Sequence, residues 1–427
     1  MGRTLYVSLE RDGQMVPVGS IVGDTPEEAV FRYSETYLAS ETGAISISLP
    51  LQEEAFTPGQ TKNYFEGLLP EGFTRRSVAQ QMRVDENDYL SILHGLGREC
   101  LGAVCISGED EMPEASYERI TGEQVSALAA EGAVKSAELV MKSHLSLAGA
   151  SGKVGLYYHK EDGNWYLPKG TAPSTHIVKQ SHIRLSGIVA NEQLSLRTAF
   201  YCGIEIPDSF IINTGAGKED EVLFATQRYD RYFGNDPAVI QGLARPSRLH
   251  QEDFAQAMGI PATEKYEKED AGYLAGMFSI LRKYASNPVE DQLKLWDMLV
   301  FDYLIGNTDA HIKNFSLLYG NDLRSVRLAP AYDIISTSIY PQSTREMSIS
   351  VGGRRSLDEA DRDAFRHAAA DAGLGERMLM KRFDAMHARF REALDRAAEE
   401  LEDKGFQDAG KMKEGILETG GIRTLEK

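Results

Sequence analysis

Asn307-Thr308-Asp309-Ala310-His311-Ile312-Lys313-Asn314, followed downstream by Pro330-Ala331-Tyr332-Asp333-Ile334-Ile335, is the stretch on which the reading of this chain turns. Asp309 and Asn314 have the spacing D-x-x-x-x-N, and Asp333 adds a second carboxylate a short way on. Phosphoryl transfer asks for such a set: one carboxylate to take the proton of an attacking hydroxyl, and an amide with a carboxylate to hold magnesium. Because Asp and Asn are common loop residues, the spacing counts only when its surroundings agree. Leu293 to Ile305 is almost continuously apolar and reads as a buried helix, with Gly306 where a helix end favours the left-handed conformation. Phe315 to Tyr319 and Val326 to Leu328 are short apolar runs about an Asn321-Asp322 turn. They predict a hairpin that returns Asp333 toward Asp309.

Helix, loop, hairpin and metal-binding Asp follow one another as in the C-terminal lobe of a kinase. Such a lobe needs a lysine for the ATP phosphates from the N-terminal side. Lys179, ending the apolar run Ile177-Val178, offers one, although a lysine there is also an ordinary edge charge. Glu192, at the opening of the next predicted helix, either orients Lys179 or serves only the helix dipole. Ser146-Leu147-Ala148-Gly149-Ala150-Ser151-Gly152-Lys153 is a small-residue loop whose backbone N–H groups suit phosphate oxygens, without being a Walker A loop. Leu223 to Arg231 leaves an apolar strand and enters a charged segment as an interlobe hinge would, with Tyr229 placed to pack on adenine or simply in a core.

The 427 residues, 42% of them hydrophobic, are enough to bury a large core and to form two or three domains. The expected segments are an α/β module at 1–108, a second α/β region at 115–226, and a mainly helical part at 227–427. Gly108 to Glu114 is an acidic, turn-prone linker. Asp162-Gly163 marks a hairpin, Thr175 to Lys179 a strand, Asn191 to Cys202 a helix, Ser356 to Glu359 a helix-capping box, and Met378 to Leu401 a charged amphipathic helix. The formal net charge of -18 opposes autonomous tight binding to DNA. There is no apolar run of membrane-spanning length and no secretory signal, which predicts a cytoplasmic protein without membrane contact. Cys100, Cys105 and Cys202 provide neither a disulfide framework nor zinc spacing.

Taken together, S-L-A-G-A-S-G-K, Leu167 to Lys179 (L-P-K-G-T-A-P-S-T-H-I-V-K), N-E-Q-L, Q-R-Y-D-R, N-T-D-A-H-I-K-N and P-A-Y-D-I-I-S strongly resemble the HipA-type serine/threonine kinase toxins of bacterial toxin–antitoxin systems. The N-terminal F-E-G-L-L-P-E-G and G-R-E-C-L-G-A extend the resemblance to nearly the whole chain. It implies an α+β, two-lobed protein-kinase-like fold that uses ATP and Mg2+ to phosphorylate a protein, glutamyl-tRNA synthetase in the best-known members. It also implies a DNA-binding antitoxin as partner, with DNA met only through that antitoxin. Carried over, Asp309 is the catalytic base, and Asn314 and Asp333 hold magnesium. Lys179, Ser151, Gly152, Lys153, Gln227, Tyr229 and His311 surround the nucleotide, and Ser146 is the autophosphorylated serine. Gln227 stands where an acidic hinge residue is expected, and Ser151-Gly152 replaces a more usual Gln-Glu pair, making Ser151 a second candidate phosphosite. A small-molecule phosphotransferase and an inactive binding module are the competing readings.

Overall fold

In the computed structural model, residues 3–40, 42–108, 113–148, 152–181, 185–269 and 271–426 are described. They divide into two units, the first made of residues 1–182, 212–262 and 318–326, the second of 183–211, 263–317 and 327–427.

The first unit begins with β1 (Thr4–Arg11), where Leu5, Val7 and Leu9 are buried and Tyr6 is exposed, the period-two pattern of a half-buried strand. Asp12 and Gly13 both take positive φ and turn the chain into β2 (Gln14–Val22), as a tight hairpin requires. With β3 (Val30–Tyr33) and β4 (Val104–Ser107) these strands form a sheet in the order β3-β2-β1-β4. A second sheet contains β5 (Ser116–Ile120), β6 (Lys153–His159), β7 (Asn164–Lys169), β8 (His176–Gln180), β9 (Ser209–Asn213) and β10 (Val222–Gln227), in the order β5-β7-β6-β8-β10-β9. Ile212 and Asn213 are the residues of β9 that fall in this unit. The turn predicted at Asp162-Gly163 is present, with Gly163 at φ +69° and the Asn164 N–H donating to Asp162 Oδ1 at 3.0 Å.

Buried ion pairs explain why residues 1–108 and 115–182 form one unit with 212–262. The Glu10 carboxylate is held by Arg245 and Arg248. The Glu99 carboxylate accepts from Arg228 at 3.2 Å and Arg231 at 3.0 Å, and Asp230 pairs with Arg228 at 2.7 Å. A carboxylate taken out of water is tolerated only beside such partners, so the two acids fix the first α/β segment to the strand end at Arg228 to Arg248. These guanidinium groups hold Glu10 down at about 2 and keep Glu99 below the usual carboxylate range despite burial. The three expected segments, 1–108, 115–226 and 227–427, therefore do not coincide with the two units.

The second unit is mainly helical. Helix Ile188–Tyr201, predicted from Asn191, packs along helix Glu376–Asp403, predicted from Met378 to Leu401. Arg197 Nε and Tyr201 Oη each donate to Glu400 Oε2 at 2.8 Å. Trp296, Tyr303, Phe365 and Phe383 form an aromatic core between helices Pro288–Ile305, Arg362–Ala372 and Glu376–Asp403. The capping box predicted at Ser356 to Glu359 is not formed. Ser356 ends strand Arg354–Ser356, and the helix starts at Arg362 with Asp361 as its cap, accepting from the Ala364 N–H at 2.9 Å. Ser356 stands opposite Glu346 in an antiparallel pair, a strand contact that local pattern does not reveal.

Candidate active site

Helix Pro288–Ile305 delivers the Asp309 loop of the second unit. Its end is fixed by Gly306 at φ +78°, where a Cβ would come within 2.1 Å of Ser338 Oγ, so both conformation and space call for glycine. Asn307 folds back onto the helix: its N–H donates to the Asp302 carbonyl and its Nδ2 to Asp302 Oδ1, both at 2.8 Å. The Asn307 Oδ1 in turn accepts from the Asp309 N–H at 3.2 Å. Burial without a cation in hydrogen-bond range among the bonds described raises the Asp302 carboxyl to about 7. Thr308 is bound on all sides: its N–H donates to Thr337 Oγ1 at 2.7 Å, its hydroxyl to the Thr344 carbonyl at 3.1 Å, and its carbonyl accepts from the Ser348 N–H and Oγ. A loop so anchored leaves the exposed Asp309 little freedom of position.

The Asp309 carbonyl accepts from the His311 N–H at 2.8 Å and from Asn314 Nδ2 at 3.0 Å. With Nδ2 donating to that carbonyl, the acceptor atom of the Asn314 side chain is its Oδ1. An amide oxygen and the Asp333 carboxylate are hard oxygen donors, the kind magnesium selects. Asp333 follows the predicted hairpin, formed by Ser316–Tyr319 and Val326–Leu328 and closed by the Ala329 N–H on the Ser316 carbonyl at 2.8 Å. Its φ of +57° is an uncommon conformation for a side-chain-bearing residue. Both flanks hold it there. The Ala331 N–H donates to the Glu205 carbonyl at 2.8 Å, Tyr332 Oη donates to the Lys313 carbonyl at 2.9 Å, and Asn191 grips Ser336 through its N–H at 2.9 Å and its carbonyl at 3.0 Å. Asn314 and Tyr332 line a narrow cleft with Asp302, Asn307 and Ser316.

In the first unit, Lys179 on β8 is buried, pairs in register with Phe224 of β10 and lies with Nζ 5.5 Å from that ring's centre. Lys153 of β6 stands directly across from it. Like charges opposite each other in an antiparallel pair repel, and an anion held between them relieves the cost. Gln227 ends β10 opposite His176, and the Arg228 N–H donates to the Thr175 carbonyl at 2.9 Å. Tyr229 Oη is engaged with Gln251 Oε1. Ser146 is fully buried, its Oγ donating to the Leu68 carbonyl and its N–H to the Glu99 carbonyl, both at 2.7 Å. Gly152 lies tightly against Gln180. Ser151 lies outside the described residues.

Residues that the sequence reading passed over complete the picture. Asn191 belongs to a motif quoted above, yet nothing local indicates that its amide reaches 145 positions along the chain to Ser336. Asp302 reads as one polar position in an apolar helix, and a lone carboxyl in that setting is the signal that was available. Tyr266, whose Oη donates to Asp309 Oδ1 at 2.8 Å, and Ser348, which binds Thr308, carry no motif at all.

Two family models match the chain: the HipA-like C-terminal domain over residues 145–397 and the HipA N-terminal domain over residues 13–107. The chain belongs to the HipA family. It is 33% identical over 403 residues to "Putative kinase Y4mE" of Sinorhizobium fredii, covering 92% of this chain and 91% of that one. It is 26% identical over 347 residues to "Serine/threonine-protein kinase toxin HipA" of Shewanella oneidensis, covering 78% and 75%. A chain of the solved Shewanella oneidensis complex of HipA, HipB and operator DNA superposes with a TM-score of 0.80 at 21% identity, covering 99% of this chain and 97% of that one. The α+β, kinase-like fold expected from the sequence is thus the fold of this chain. No helix among the described residues is long and apolar enough to cross a membrane.

Proposed function

We propose that this chain is an ATP- and magnesium-dependent serine/threonine protein kinase acting in the cytoplasm as the toxin of a toxin–antitoxin pair. The observation that carries the reading is the Asp309 loop: an exposed carboxylate on a backbone fixed through Asn307, Thr308 and Asn314, already receiving a hydroxyl hydrogen bond. Asp309 takes the proton of the acceptor serine or threonine as its oxygen attacks the terminal phosphorus. Asn314 Oδ1 and Asp333 hold magnesium, which when bound neutralises charge growing on the phosphate oxygens. Lys179 and Lys153 take phosphate oxygens, with Gly152 and Ser151 in the adjoining loop and His311 beside the base. Gln227 and Tyr229 contribute the hinge that receives adenine through backbone groups, Tyr229 keeping its hydroxyl on Gln251.

The acceptor is a protein of translation, glutamyl-tRNA synthetase being the family expectation, and restraint comes from a DNA-binding antitoxin like the HipB that accompanies HipA in the Shewanella oneidensis complex. Ser146 is the proposed site of self-inactivation. Because its hydroxyl is buried on Leu68, it receives phosphate only when its segment leaves that position, and the added charge of about -2 then opposes its return. Phosphopeptide mass spectrometry after brief expression, wild type against Asp309→Ala, tests the proposal. New phosphoserine or phosphothreonine on host protein with the wild type alone is the expected result, and identical phosphopeptide sets would overturn it.

A further inference from the structure

The carboxylate assigned as the base carries a hydroxyl of the protein's own. Tyr266 Oη donates to Asp309 Oδ1 at 2.8 Å, although Tyr266 is 47% exposed and nothing in its own burial requires the contact. The ring stands edge-on to His311, with centres 5.3 Å apart and planes at 81°, and Lys265 Nζ lies 5.3 Å from its centre.

The juxtaposition is built into the backbone. The next residue, Glu267, donates its N–H to the Ser348 carbonyl at 2.9 Å. The N–H of Ser348 and its Oγ, at 3.1 and 2.7 Å, bind the carbonyl of Thr308, the residue before Asp309. One strand residue thus holds the neighbours of both Tyr266 and Asp309. The Tyr266 segment is pinned again by the Glu267 carboxylate, which accepts from the Tyr273 and Ser350 N–H groups, and by Tyr273 Oη on the Glu264 carbonyl at 2.6 Å. A surface hydrogen bond between two long side chains is worth little when both are free to move, but here both backbones are fixed on a common support.

The geometry points to Tyr266 as a resident occupant of the acceptor position: its phenol holds, on Asp309 Oδ1, a place that an attacking hydroxyl would take. This rests on the kinase reading of Asp309. A general base acts only on a hydroxyl within hydrogen-bond reach, so an acceptor or water that approaches Oδ1 has to displace the phenol first. Tyr266 is then a gate on the base that favours acceptors able to compete for the carboxylate and suppresses idle hydrolysis of ATP. In that hydrolysis the water oxygen bonds to the terminal phosphorus, the bond to the ADP oxygen breaks, and the water proton passes to Asp309.

The test is steady-state ATP hydrolysis by the full chain with magnesium, comparing wild type, Tyr266→Phe, Asp309→Asn and the double variant. Phe keeps the ring on His311 and removes only the hydroxyl. The expected result is hydrolysis about fivefold faster in Tyr266→Phe, the factor equivalent to one hydrogen bond of about 1 kcal/mol, with the gain abolished by Asp309→Asn. An equal or slower rate in an active Tyr266→Phe protein overturns the gate while leaving the kinase reading in place, and so does a gain that persists without Asp309. Absence of turnover in both wild type and Tyr266→Phe overturns the gate, since the phenol then holds back no hydrolysis, and the kinase reading is decided separately by the phosphopeptide comparison.

Discussion

At Asp333 a carboxylate is carried on a backbone with φ of +57°, a conformation that Asp and Asn tolerate better than other side chains because their short polar groups bond locally. Asp333→Asn therefore keeps the turn and removes the charge, which separates the chemical role from the structural one. If Asp333 holds magnesium, phosphotransfer by this variant falls by orders of magnitude while its thermal unfolding midpoint stays close to wild type. Raising magnesium restores part of the rate. Measured rates within a fewfold of wild type at every magnesium concentration would remove Asp333 from the metal site.

Helix Pro288–Ile305 illustrates how an element can carry function-related cost. The buried Asp302 keeps its proton up to about pH 7 in the folded chain, against an ordinary value of 3.8. Between those values the unfolded chain releases the proton first, so the folded state binds more protons and loses stability as the pH rises. Above about pH 7 the whole cost is present, and below about 4 it is absent. Asn at this position still offers Oδ1 to Asn307 Nδ2 and has no charge to bury. The unfolding midpoint of Asp302→Asn minus that of wild type should therefore increase by several degrees between pH 5 and pH 8. A difference that is flat or falls over this range would show that Asp302 is not the titrating group. Glu252 in the first unit, also raised to about 7 by burial, titrates alike in both proteins and cancels in the comparison.

Across the whole molecule the formal net charge is -18. Binding to a polyanion releases counterions only where lysines and arginines meet phosphates, and here many of the guanidinium groups are committed to carboxylates, those of Arg228, Arg231 and Arg248 deep in the first unit. The isolated chain is expected to bind duplex DNA no more tightly than tens of micromolar near physiological salt, in the range of non-specific binding or weaker. Operator binding then depends on an antitoxin. Fluorescence anisotropy with the purified chain measures this, and sub-micromolar, salt-sensitive binding without a partner would contradict it.

The sequence by itself determined the helix before Asp309, its glycine stop, the Ser316–Tyr319 and Val326–Leu328 hairpin, the strand that bears Lys179 and the family to which these motifs belong. Each is written in local periodicity or in turn residues whose backbone preference does not depend on distant neighbours. The division into units was decided only in three dimensions, because Glu10 and Glu99 find their arginines more than a hundred residues away. So was the support of the site: Asn191 on Ser336, Ser348 on Thr308 and Tyr266 on Asp309 are hydrogen bonds across long separations. The failed capping box has the same cause, since Ser356 is drawn into a strand opposite Glu346. Local pattern specifies which conformation each segment prefers, but a buried or functional polar group is satisfied by whichever partner folding brings within 3 Å, and that partner leaves no periodic trace in the chain.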